Sequence, residues 1–545
     1  MVPLTSNVAE EAADVVVIGS GSAAACAALK AARSRLSVLM LEKTDRLGGT
    51  SAMSGAGVWV PANHLARAEG LGDSPEEALE YLRAASPEGW QAKEDPLWAS
   101  FVEAAPRMLA FLEANTPLRF ALTNEPDPMA ECKGGKTVGR MVSPAPLSRR
   151  LLGPLRSRLR RSTLPHLFTY HEMIGFDPYH SPVGAALKLA PRLLHRLLTD
   201  SRGQGSALMT GLLRGCLDAG CRIETGARAQ ELIMDERGVT VTGVSIQNGG
   251  RLRRVAVRRG VVLASGGFDW HPMLRGQHFD GQLDRLGAPS GNEGDGQLMA
   301  ERAGAALERM DQANVYPCIP TRYEGRPHGL PMTFQAEPHA IVVDRTGRRF
   351  VSECDYNIGE ALDRRDRATG AALHLPAWVI ADSRFLSRST PFRWYARYAP
   401  DWIIKAPTLE ELASRIRLPP NGLVATVERF NGFCAQGRDA DFARGDSLWE
   451  RKKHGGAAAQ LKPIQRSPFL AMSFNRSLLG TKGGVRTNSK GQALRPDGSV
   501  IPGLYAAGLA MANPIGTRAL GAGTTLGPNL TWGFICAESL LGDNR

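Results

Sequence analysis

The sequence lacks the features of membrane-spanning and secreted proteins and of cysteine-bound metal sites. No apolar run in the 545 residues approaches the roughly 20 residues that a transmembrane helix needs. The N-terminal stretch, MVPLTSNVAEEAAD, has neither the basic region nor the apolar region of a secretory signal, so we expect no secretion. None of the eight cysteines forms a CxxC pair, which argues against a zinc or iron–sulfur site and indicates buried thiols in a reducing compartment. We therefore predict a cytoplasmic protein.

Aromatic residues make up only 6% of the chain, and none is interleaved with the arginines of residues 148–162. Surfaces that bind nucleic acid often combine the two, so the formal net charge of +12 does not by itself indicate a nucleic-acid partner, and we predict none. The remaining composition is ordinary, with 43% hydrophobic and 22% charged residues. The length allows two or three domains with well-formed cores.

Much of the positive charge is concentrated in residues 148–162, SRRLLGPLRSRLRRS. Six arginines are interleaved with leucines there, namely Arg149, Arg150, Arg156, Arg158, Arg160 and Arg161. One interpretation is a basic amphipathic helix that lies on an anionic membrane, or collects a hydrophobic substrate from it. The other is a solvated helical face. The pattern leaves open whether residues 149–161 make a peripheral membrane contact.

The clearest pattern in the chain is a strand, a glycine-rich turn, a helix and a second strand over residues 14–43. Asp14–Ile18 is a short β-branched run, typical of a strand that is buried on both faces of a parallel sheet. Gly19 permits a tight turn, Gly21 lets backbone N–H groups approach a pyrophosphate, and Ala24 lets the helix pack close to the strand. The pattern predicts a dinucleotide site; the alternative is an ordinary βαβ unit with a tight turn.

The helix and the second strand favour the dinucleotide site. The helix, from Ser22 to about Arg33, directs its positive N-terminal end toward the phosphates. Ser37–Leu41 is predicted to be the second strand. Glu42 follows it and is placed to accept a hydrogen bond from a ribose hydroxyl.

Two further stretches of small residues suit a large planar ligand. Gly48–Gly57 would let the backbone lie flat against such a ligand, because its side chains are nearly all small. Near the C-terminus, residues 498–508 are predicted to form a turn, a buried strand and a second turn. Residues 519–533, ALGAGTTLGPNLTWG, form a glycine-dense loop entering a helix, which can direct N–H groups and a helix dipole at an anionic group.

The middle of the chain differs from both ends. Residues 75–120 are predicted to be amphipathic helices, and about 121–205 an insertion with weak periodicity. Residues 259–267 are predicted to form a buried strand, and residues 339–353, HAIVVDRTGRRFVSE, a hairpin. We predict one discontinuous domain and one inserted domain, with boundaries at 1–287, 288–480 and 481–545.

The most specific motifs are VVVIGSGSAAACAAL (15–29), LEKTDRLGGTSAMSGAGVWVP (41–61), RGVVLASGGFD (259–269), RFNGFCAQGRDADFARGDS (429–447), LGTKGGVRT (479–487) and GAGTTLGPNLTWG (521–533). Together they resemble the FAD-dependent fumarate reductase/succinate dehydrogenase superfamily, and within it the 3-ketosteroid delta-1-dehydrogenases. The resemblance covers nearly the whole chain outside residues 1–13 and 121–205. It implies an α/β protein, with a Rossmann-like, discontinuous FAD-binding domain and an inserted α+β catalytic or cap domain.

The resemblance implies that FAD is the cofactor. Residues 44–63 contain no histidine, so the covalent histidyl–flavin link of respiratory fumarate reductases is not expected and FAD is predicted to be non-covalent. The topology suggests that the backbone of Arg228 or Ala229 contacts the adenine. The expected FAD-binding residues are Gly19, Gly21, Ser22, Ala23, Ala24, Glu42, Lys43, Gly49, Thr50, Ser51, Ser54, Gly55, Gly57, Ala229, Ala264, Gly266, Gly508, Thr525, Leu526 and Asn529.

The family's reaction implies three chemical groups. A backbone N–H and a tyrosine hydroxyl polarise a ketone, a tyrosinate-like base takes the alpha proton, and flavin N5 takes the beta hydride. Gly523 matches the backbone donor. Tyr356, which follows the motif FVSEC, is a candidate base, and Tyr316 is a second candidate.

Two tyrosines that the family pattern leads us to expect are absent. Ala519 stands at one position, and residues 125–136, EPDPMAECKGGK, contain no tyrosine for the other. Arg518 has two functional roles open to it, polarising a carbonyl or binding a carboxylate bidentately. It is equally a candidate for a loop arginine that faces solvent or the FAD pyrophosphate. His339 is expected to be a strand histidine rather than an acid–base group.

We therefore predict an FAD-dependent dehydrogenase acting on CH–CH groups. Its substrate would be a 3-ketosteroid, desaturated between C1 and C2, or a similar hydrophobic cyclic ketone. The chain has no cytochrome-type CxxCH and no iron–sulfur cysteines, so the electron acceptor is predicted to be external. One alternative is an enoate reductase that binds an unsaturated acid through Arg518. The other is a flavin-binding homologue with altered or lost activity.

Overall fold

The computed structural model describes residues 11–366 and 368–542. Its α-helices are, in chain order, α1 Ser22–Arg33, α2 His64–Ala68, α3 Pro75–Ala85, α4 Gln91–Asn115, α5 Tyr170–Phe176, α6 Pro182–Thr199, α7 Gln204–Asp218, α8 Pro272–His278, α9 Asp295–Arg302, α10 Ile358–Asp363, α11 Thr390–Ala396, α12 Leu409–Arg415, α13 Pro420–Gln436, α14 Leu448–His454, α15 Gly456–Gln460 and α16 Leu526–Gly542. Short 3-10 helices occupy Thr50–Met53, Arg149–Arg158, Phe334–Ala336, Phe385–Ser387, Pro400–Trp402 and Gly508–Ala510.

The strands are β1 Glu11–Ile18, β2 Val38–Glu42, β3 Val58–Trp59, β4 Phe120–Leu122, β5 Met141–Pro144, β6 Leu147–Ser148, β7 Ser201–Arg202, β8 Arg222–Thr225, β9 Ala227–Met234, β10 Val241–Asn248, β11 Arg251–Leu263, β12 Leu283–Leu286, β13 Leu307–Glu308, β14 Ala313–Val315, β15 Cys318–Tyr323, β16 Arg326–Pro331, β17 Ala340–Val343, β18 Trp378–Ala381, β19 Ile403–Ala406, β20 Phe469–Ser473, β21 Arg476–Thr481, β22 Gly484–Val485, β23 Gln492–Leu494 and β24 Val500–Ala506.

The largest sheet joins strands from both ends of the chain. Its main path runs β23-β24-β11-β1-β2-β8, and β10 and β9 extend it from β11. β1 lies between β11 and β2 and is parallel to both, and β11 pairs in parallel with β24. The β-branched run Val15–Ile18 is buried on both faces, as expected for a central parallel strand.

Helices α1 and α16 pack tightly beside this sheet because small residues line their contact. Ten of the twelve residues of α1 are buried, and most of them are alanines. A Cβ on Gly533 of α16 would lie 2.3 Å from the carbonyl oxygen of Ala23, so the backbones approach too closely for any larger residue. The C-terminal helix is thereby fixed against the helix that follows Gly21.

A second sheet lies in the segment between these ends. It has four antiparallel strands in the order β17-β18-β20-β19. Helices α12 and α13 share an apolar cluster with it, and α10 and α11 share another. The predicted fold class, an α/β FAD-binding fold with an inserted α+β region, is confirmed. The exact boundaries at 287/288 and 480/481 stay a prediction.

Two stretches differ in detail from their predictions. Residues 339–353 do turn back on themselves, since Val343 and Arg349 form an antiparallel bridge, but β17 takes β18 as its sheet partner. Residues 149–161 do not form an amphipathic α-helix. They form a 3-10 segment that is interrupted at Gly153, where φ is 53° and Pro154 follows. Within residues 11–366 and 368–542, no helix is both long enough and apolar enough to cross a bilayer.

Candidate active site

An open cleft lies at the carboxyl ends of β1 and β2. This edge of a parallel sheet is where doubly wound proteins bind nucleotides. The cleft is lined by the turn after β1, the end of β2, the 3-10 helix Thr50–Met53, the start of β9 and the turn after β11. Gly508, which follows β24, and Asn529, in α16, complete the lining.

Glycine is required where the chain turns into the cleft. Gly19 has φ of 116°, and a Cβ there would lie 2.2 Å from the carbonyl oxygen of Ala264. Gly21 precedes α1, whose first turn holds no acidic residue. The N–H of Ser22, the first residue of α1, donates to Ser51 Oγ at 3.1 Å, and Gly21 has no side chain that could cap the amides that follow. The N-terminal amides of this helix therefore favour an anion in the cleft.

Glu42 is held in place by two neighbours. The hydroxyl of Ser20 donates to Glu42 Oε2 at 2.6 Å, and the backbone N–H of Thr44 donates to Oε1 at 2.9 Å. The hydroxyl of Thr44 donates to the same Oε1. Glu42 thus stands as an oriented acceptor at the end of β2, where a ribose hydroxyl is expected.

The cleft fits FAD on the chemistry of its walls. Oδ1 of Asn529 is buried, faces the cleft lining, and has no hydrogen-bond partner within the described part of the chain. Gly508 has φ of 68°, and a Cβ there would lie 3.0 Å from Cβ of Ala23, which keeps this wall flat. Glycine-lined walls, the N-terminal amides of α1 and a buried polar atom without a partner suit a phosphate-bearing planar cofactor.

Fourteen of the predicted FAD-binding residues line this cleft: Gly19, Gly21, Ser22, Ala23, Glu42, Lys43, Gly49, Thr50, Ser51, Ala229, Ala264, Gly266, Gly508 and Asn529. Ala24 is fully buried in α1 and serves packing. Ser54, Gly55, Gly57, Thr525 and Leu526 lie outside the lining. The assignment of each residue to FAD stays a prediction.

Several lining residues were missed by the sequence reasoning. Ser20 and Thr44 act through Glu42, and Asn292 donates to the hydroxyl of Thr50 at 3.2 Å. Arg160 also lines the cleft, with its side chain 4% exposed. The sequence does not single out Arg160 as a cleft residue, because it lies in a stretch with five other arginines.

Lys43 is neutralised inside the fold. Its ammonium group pairs with Glu293 at 2.8 Å and with Asp295 at 2.7 Å. Arg228 pairs with Asp295 at 2.6 Å. These contacts join the end of β2 and β9 to the start of α9, and they close one wall of the cleft.

The segment after residue 53 leads from the cleft to Gly523. The backbone N–H of Trp59 donates to the carbonyl oxygen of Gly523 at 3.3 Å, and a Cβ on Gly523 would lie 2.7 Å from the backbone of Gly57. Gly523 has φ of 89°. Within the described residues, no acceptor takes the N–H of Gly523. That N–H is therefore available to a ligand.

Three tyrosines and one carboxylate cluster near this end of the site. The hydroxyl of Tyr170 donates to Oε2 of Glu125 at 3.0 Å. Burial raises the pKa of Tyr170 well above its usual value, and the negative charge of Glu125 and the neighbouring Tyr356 and Tyr316 raise it further. Burial and the charge of Glu125 likewise raise the pKa of Tyr356 and of Tyr316. All three phenols are protonated at neutral pH.

Tyr170 is the member of this cluster that the sequence reasoning missed. Its ring packs directly on the backbone of the small-residue segment, since a Cβ on Gly55 would lie 3.0 Å from Tyr170 Cδ2. Glu125 also pairs with Lys453. Tyr170 lies in the predicted insertion, where weak periodicity gave no reason to single it out. Tyr356 packs edge-on against Trp449, with ring centroids 4.6 Å apart.

Arg518 is already occupied by an ion pair. Its Nε and Nη2 donate to the two carboxylate oxygens of Glu360, each at 2.8 Å. The neighbouring Ala519 is held at both backbone groups, because Asn357 Oδ1 accepts from its N–H at 2.9 Å and Asn357 Nδ2 donates to its carbonyl at 3.1 Å. The loop before Gly523 is thus fastened to the segment that carries Tyr356. His339 Nδ1–H donates to the carbonyl oxygen of Pro463 at 2.8 Å, and burial lowers the pKa of His339, as for a structural histidine.

Comparison with known proteins agrees with this site. The chain matches a family described as "FAD binding domain" over residues 14–526. It is 36% identical to 4-oxocyclohexanecarboxylate 2-dehydrogenase of Sinomonas cyclohexanicum, over 97% of this chain and 93% of the relative. It is 33% identical to 3-oxosteroid 1-dehydrogenase of Mycobacterium tuberculosis, over 96% of this chain and 97% of the relative.

A solved structure is similar over the same extent. It is the 3-ketosteroid delta1-dehydrogenase of Sterolibacterium denitrificans in complex with 1,4-androstadiene-3,17-dione. The TM-score is 0.87 and the identity 30%, covering 98% of this chain and all of that one. The resemblance inferred from the motifs is confirmed. The chain belongs to the FAD binding domain family and is an FAD-dependent oxidoreductase.

Proposed function

We propose that this oxidoreductase desaturates a hydrophobic cyclic ketone between the carbons alpha and beta to its carbonyl. The observation that carries the proposal is the unpaired N–H of Gly523, which lies at the same end of the site as a cluster of protonated tyrosines. The relatives named above act, by their names, on an oxocyclohexane acid and on oxosteroids. A ring ketone is the group that these substrates share.

Gly523 is assigned the role of polarising the ketone. Its N–H is fixed by the contact with Trp59 and by its left-handed backbone, so it needs no rearrangement to meet an oxygen that gains negative charge. The family tyrosine that would assist it is replaced by Ala519. A protonated phenol, Tyr316 or Tyr356, is the second donor that this site offers.

Tyr170 is assigned the role of base, acting together with Glu125. A protonated phenol is a weak base by itself. Because the hydroxyl of Tyr170 donates a hydrogen bond to Glu125, the Tyr170 oxygen can accept a substrate proton while its own proton leaves. The alpha proton of the ketone would pass to the Tyr170 oxygen, and the phenol proton would pass to Glu125. Tyr356 and Tyr316 remain candidates; neither has a side-chain hydrogen bond to a carboxylate within the described residues.

FAD, when bound, supplies the two-electron oxidant that accepts the beta hydride. The residues proposed to hold it are those that line the cleft, with the α1 amides at the phosphates and Glu42 at a ribose. We also propose that an external electron acceptor reoxidises the reduced FAD.

The enoate-reductase alternative loses its expected carboxylate binder. Arg518 is bidentate to Glu360, so an acid substrate would first have to displace that pair. We therefore place ketone desaturation ahead of acid reduction. The size of the ring, from cyclohexanone to steroid, is left to the experiment.

A flavin-reduction screen tests the proposal. Purified holoenzyme would be mixed without oxygen with 3-ketosteroids, with small cyclic ketones and with 4-oxocyclohexanecarboxylate, while flavin absorbance is followed. Bleaching by any ring ketone supports the proposal. If chemically reduced enzyme is instead reoxidised by unsaturated acids, and no ketone bleaches it, the reductase alternative is correct. A flavin that responds to neither panel would indicate lost activity.

A further inference from the structure

Helix α6, Pro182–Thr199, carries an apolar face that points away from the protein. Five large apolar side chains of this helix are between 54% and 72% exposed, namely Val183, Leu187, Leu194, Leu197 and Leu198. The opposite face is covered, since Ala185, Leu189 and Arg196 are buried. The helix is therefore apolar on two sides, and the fold buries only one of them.

The spacing shows that the exposed residues form one surface. Val183, Leu187, Leu194 and Leu198 recur at intervals of four, seven and four residues, which places them along one side of an α-helix. Ala190 continues the same stripe and is exposed. Among the described residues, eleven large apolar side chains are clearly exposed, and this helix holds five of them. Such clustering marks an interaction surface rather than scattered exposure.

The surroundings of this face are strongly basic. Residues 149–202 contain ten lysines and arginines and three acidic residues. The three acids are already engaged: Asp200 with Arg149, Glu172 with Arg196, and Asp177 with His180. Arg156 shares Asp200 at 2.7 Å, and Arg192 lies 3.8 Å from Glu172. In the part of the chain that the structure describes, Arg150 and Lys188 form no ion pair.

The two basic side chains border the apolar face directly. Lys188 is exposed on α6 itself. Arg150 donates from Nη2 to the carbonyl oxygen of Leu198 at 2.8 Å, so it lies at the C-terminal end of the stripe. Leu151, 38% exposed, extends the apolar area beside it. An apolar stripe with a basic border is the composition of helices that lie in the interface of an anionic membrane.

We propose that α6 docks this enzyme on the surface of an anionic lipid bilayer, with its leucines among the acyl chains and its basic border at the headgroups. A second copy of the chain is disfavoured as the occupant, because a two-fold contact would bring two basic borders together. The surface lies on α6 and not on residues 149–161, which supply only part of the border.

The docking would bring the bilayer close to the wall of the active site. The segment that carries α6 begins with α5, whose first residue is Tyr170, and Tyr170 packs on Gly55. The segment is also fastened to the cap, since His180 Nε2 and Glu337 Oε1 are 2.6 Å apart. A membrane-soluble ketone could then enter without crossing water; this consequence, unlike the docking itself, rests on the proposed function.

Vesicle flotation tests the docking. FAD-loaded enzyme would be mixed with vesicles of phosphatidylcholine and phosphatidylglycerol, and in parallel with phosphatidylcholine alone. We expect flotation with the anionic vesicles that weakens at high salt. The variant L187S/L194S/L198S should lower the vesicle partition coefficient by at least about tenfold. The variant R150Q/K188Q should lower the vesicle partition coefficient at low salt only, because salt already screens these charges at high concentration.

The matched control is L252S/M273S, which removes two equally exposed apolar side chains from elsewhere on the surface. It should bind vesicles like the wild type, and every variant should retain its flavin and its melting temperature. Equal binding by the wild type and L187S/L194S/L198S would overturn the proposal. So would a wild-type dimer, seen by light scattering, that the same three substitutions convert to a monomer while no form of the enzyme binds vesicles.

Discussion

The hydroxyl of Tyr170 lies 3.0 Å from Oε2 of Glu125, across 45 residues of chain, and donates a hydrogen bond to it. Glu125 is 3% exposed and pairs through its other oxygen with Lys453. The half-buried phenol of Tyr170, the buried carboxylate of Glu125 and the half-buried ammonium of Lys453 thus form one connected chain next to Gly55. The arrangement gives a proton a path away from the substrate side, and it leads to the first prediction.

Tyr170→Phe should slow the reduction of bound flavin by substrate by on the order of a hundredfold, because it removes the group that takes the alpha proton. The measurement is a single-turnover reaction followed by stopped-flow absorbance. Tyr398→Phe is the matched control, since Tyr398 is 42% exposed and packs on Trp394 away from the site. If Tyr170→Phe reduces at the wild-type rate while Tyr356→Phe is slow, the base is Tyr356.

Gly21→Glu should abolish FAD retention. A Cβ at this position has room, with Ser51 Oγ the nearest atom at 3.6 Å, so the chain should fold. The added carboxylate would enter the cleft at the helix N-terminus and repel the cofactor phosphates. The flavin-to-protein absorbance ratio after purification is the readout. Gly72→Glu adds the same charge on an exposed loop and should keep its flavin; a flavin-loaded Gly21→Glu enzyme would contradict the phosphate site.

Glu353→Gln should lower the free energy of unfolding by about 3–5 kcal/mol, because it leaves the buried Arg444 without a carboxylate and Arg349 with Asp439 alone. Glu353 is fully buried and accepts from Arg349 at 2.9 and 2.8 Å and from Arg444 at 3.1 Å. Urea unfolding of the holoenzyme measures the change. The control is Glu411→Gln, which breaks an exposed pair with Arg415 and should cost about 0.3–0.5 kcal/mol. A similar small loss for both variants would show that the buried network contributes little.

Raising the pH should loosen the α5–α6 segment through His180. Hydrogen bonds to Asp177 and then to Glu337 raise the pKa of His180 to about 9. The stabilisation is therefore complete below the ordinary histidine pKa and is lost as pH rises through about 9. Arg388 also faces Glu337, and the nearby His454 is kept neutral by burial.

The measurement is the melting temperature of wild type and His180→Gln between about pH 7 and pH 10. The melting temperature of the wild type should be higher than that of the variant at the low end of this range, and the difference should disappear at the high end. Parallel curves for the two proteins would show that His180 does not titrate there.

Sequence reasoning succeeded where local pattern determines structure. The run from Asp14 to Glu42 predicted strand, turn, helix and strand, because each residue's role there depends on neighbours within one βαβ unit. It did not single out Tyr170, whose proposed role depends on contacts with Glu125 and Gly55, which lie 45 and 115 residues away. No periodicity encodes such a contact.

The arginine-rich stretch illustrates the same limit on the surface. Its charge pattern suggested a helix, but Gly153 and Pro154 break it. The exposed apolar face lies instead on α6, whose leucines look like core residues in the sequence. Only the fold shows which of its two apolar sides is covered. The ion pair of Arg518 was unpredictable for a related reason, since its partner Glu360 is 158 residues distant.

The placement of β24 has a consequence for how the enzyme is made. This strand pairs with β11, and Gly508 just after it shares the cleft with Gly19, about 490 residues earlier. A ribosome adding about 5–20 residues per second needs about half a minute or more to reach it. Throughout that time the nascent chain carries an open sheet edge and half a cofactor site. The cleft is therefore complete only after β24 and α16 have been synthesised, and we expect a chain truncated before residue 500 to retain little FAD and to expose the edge of β11.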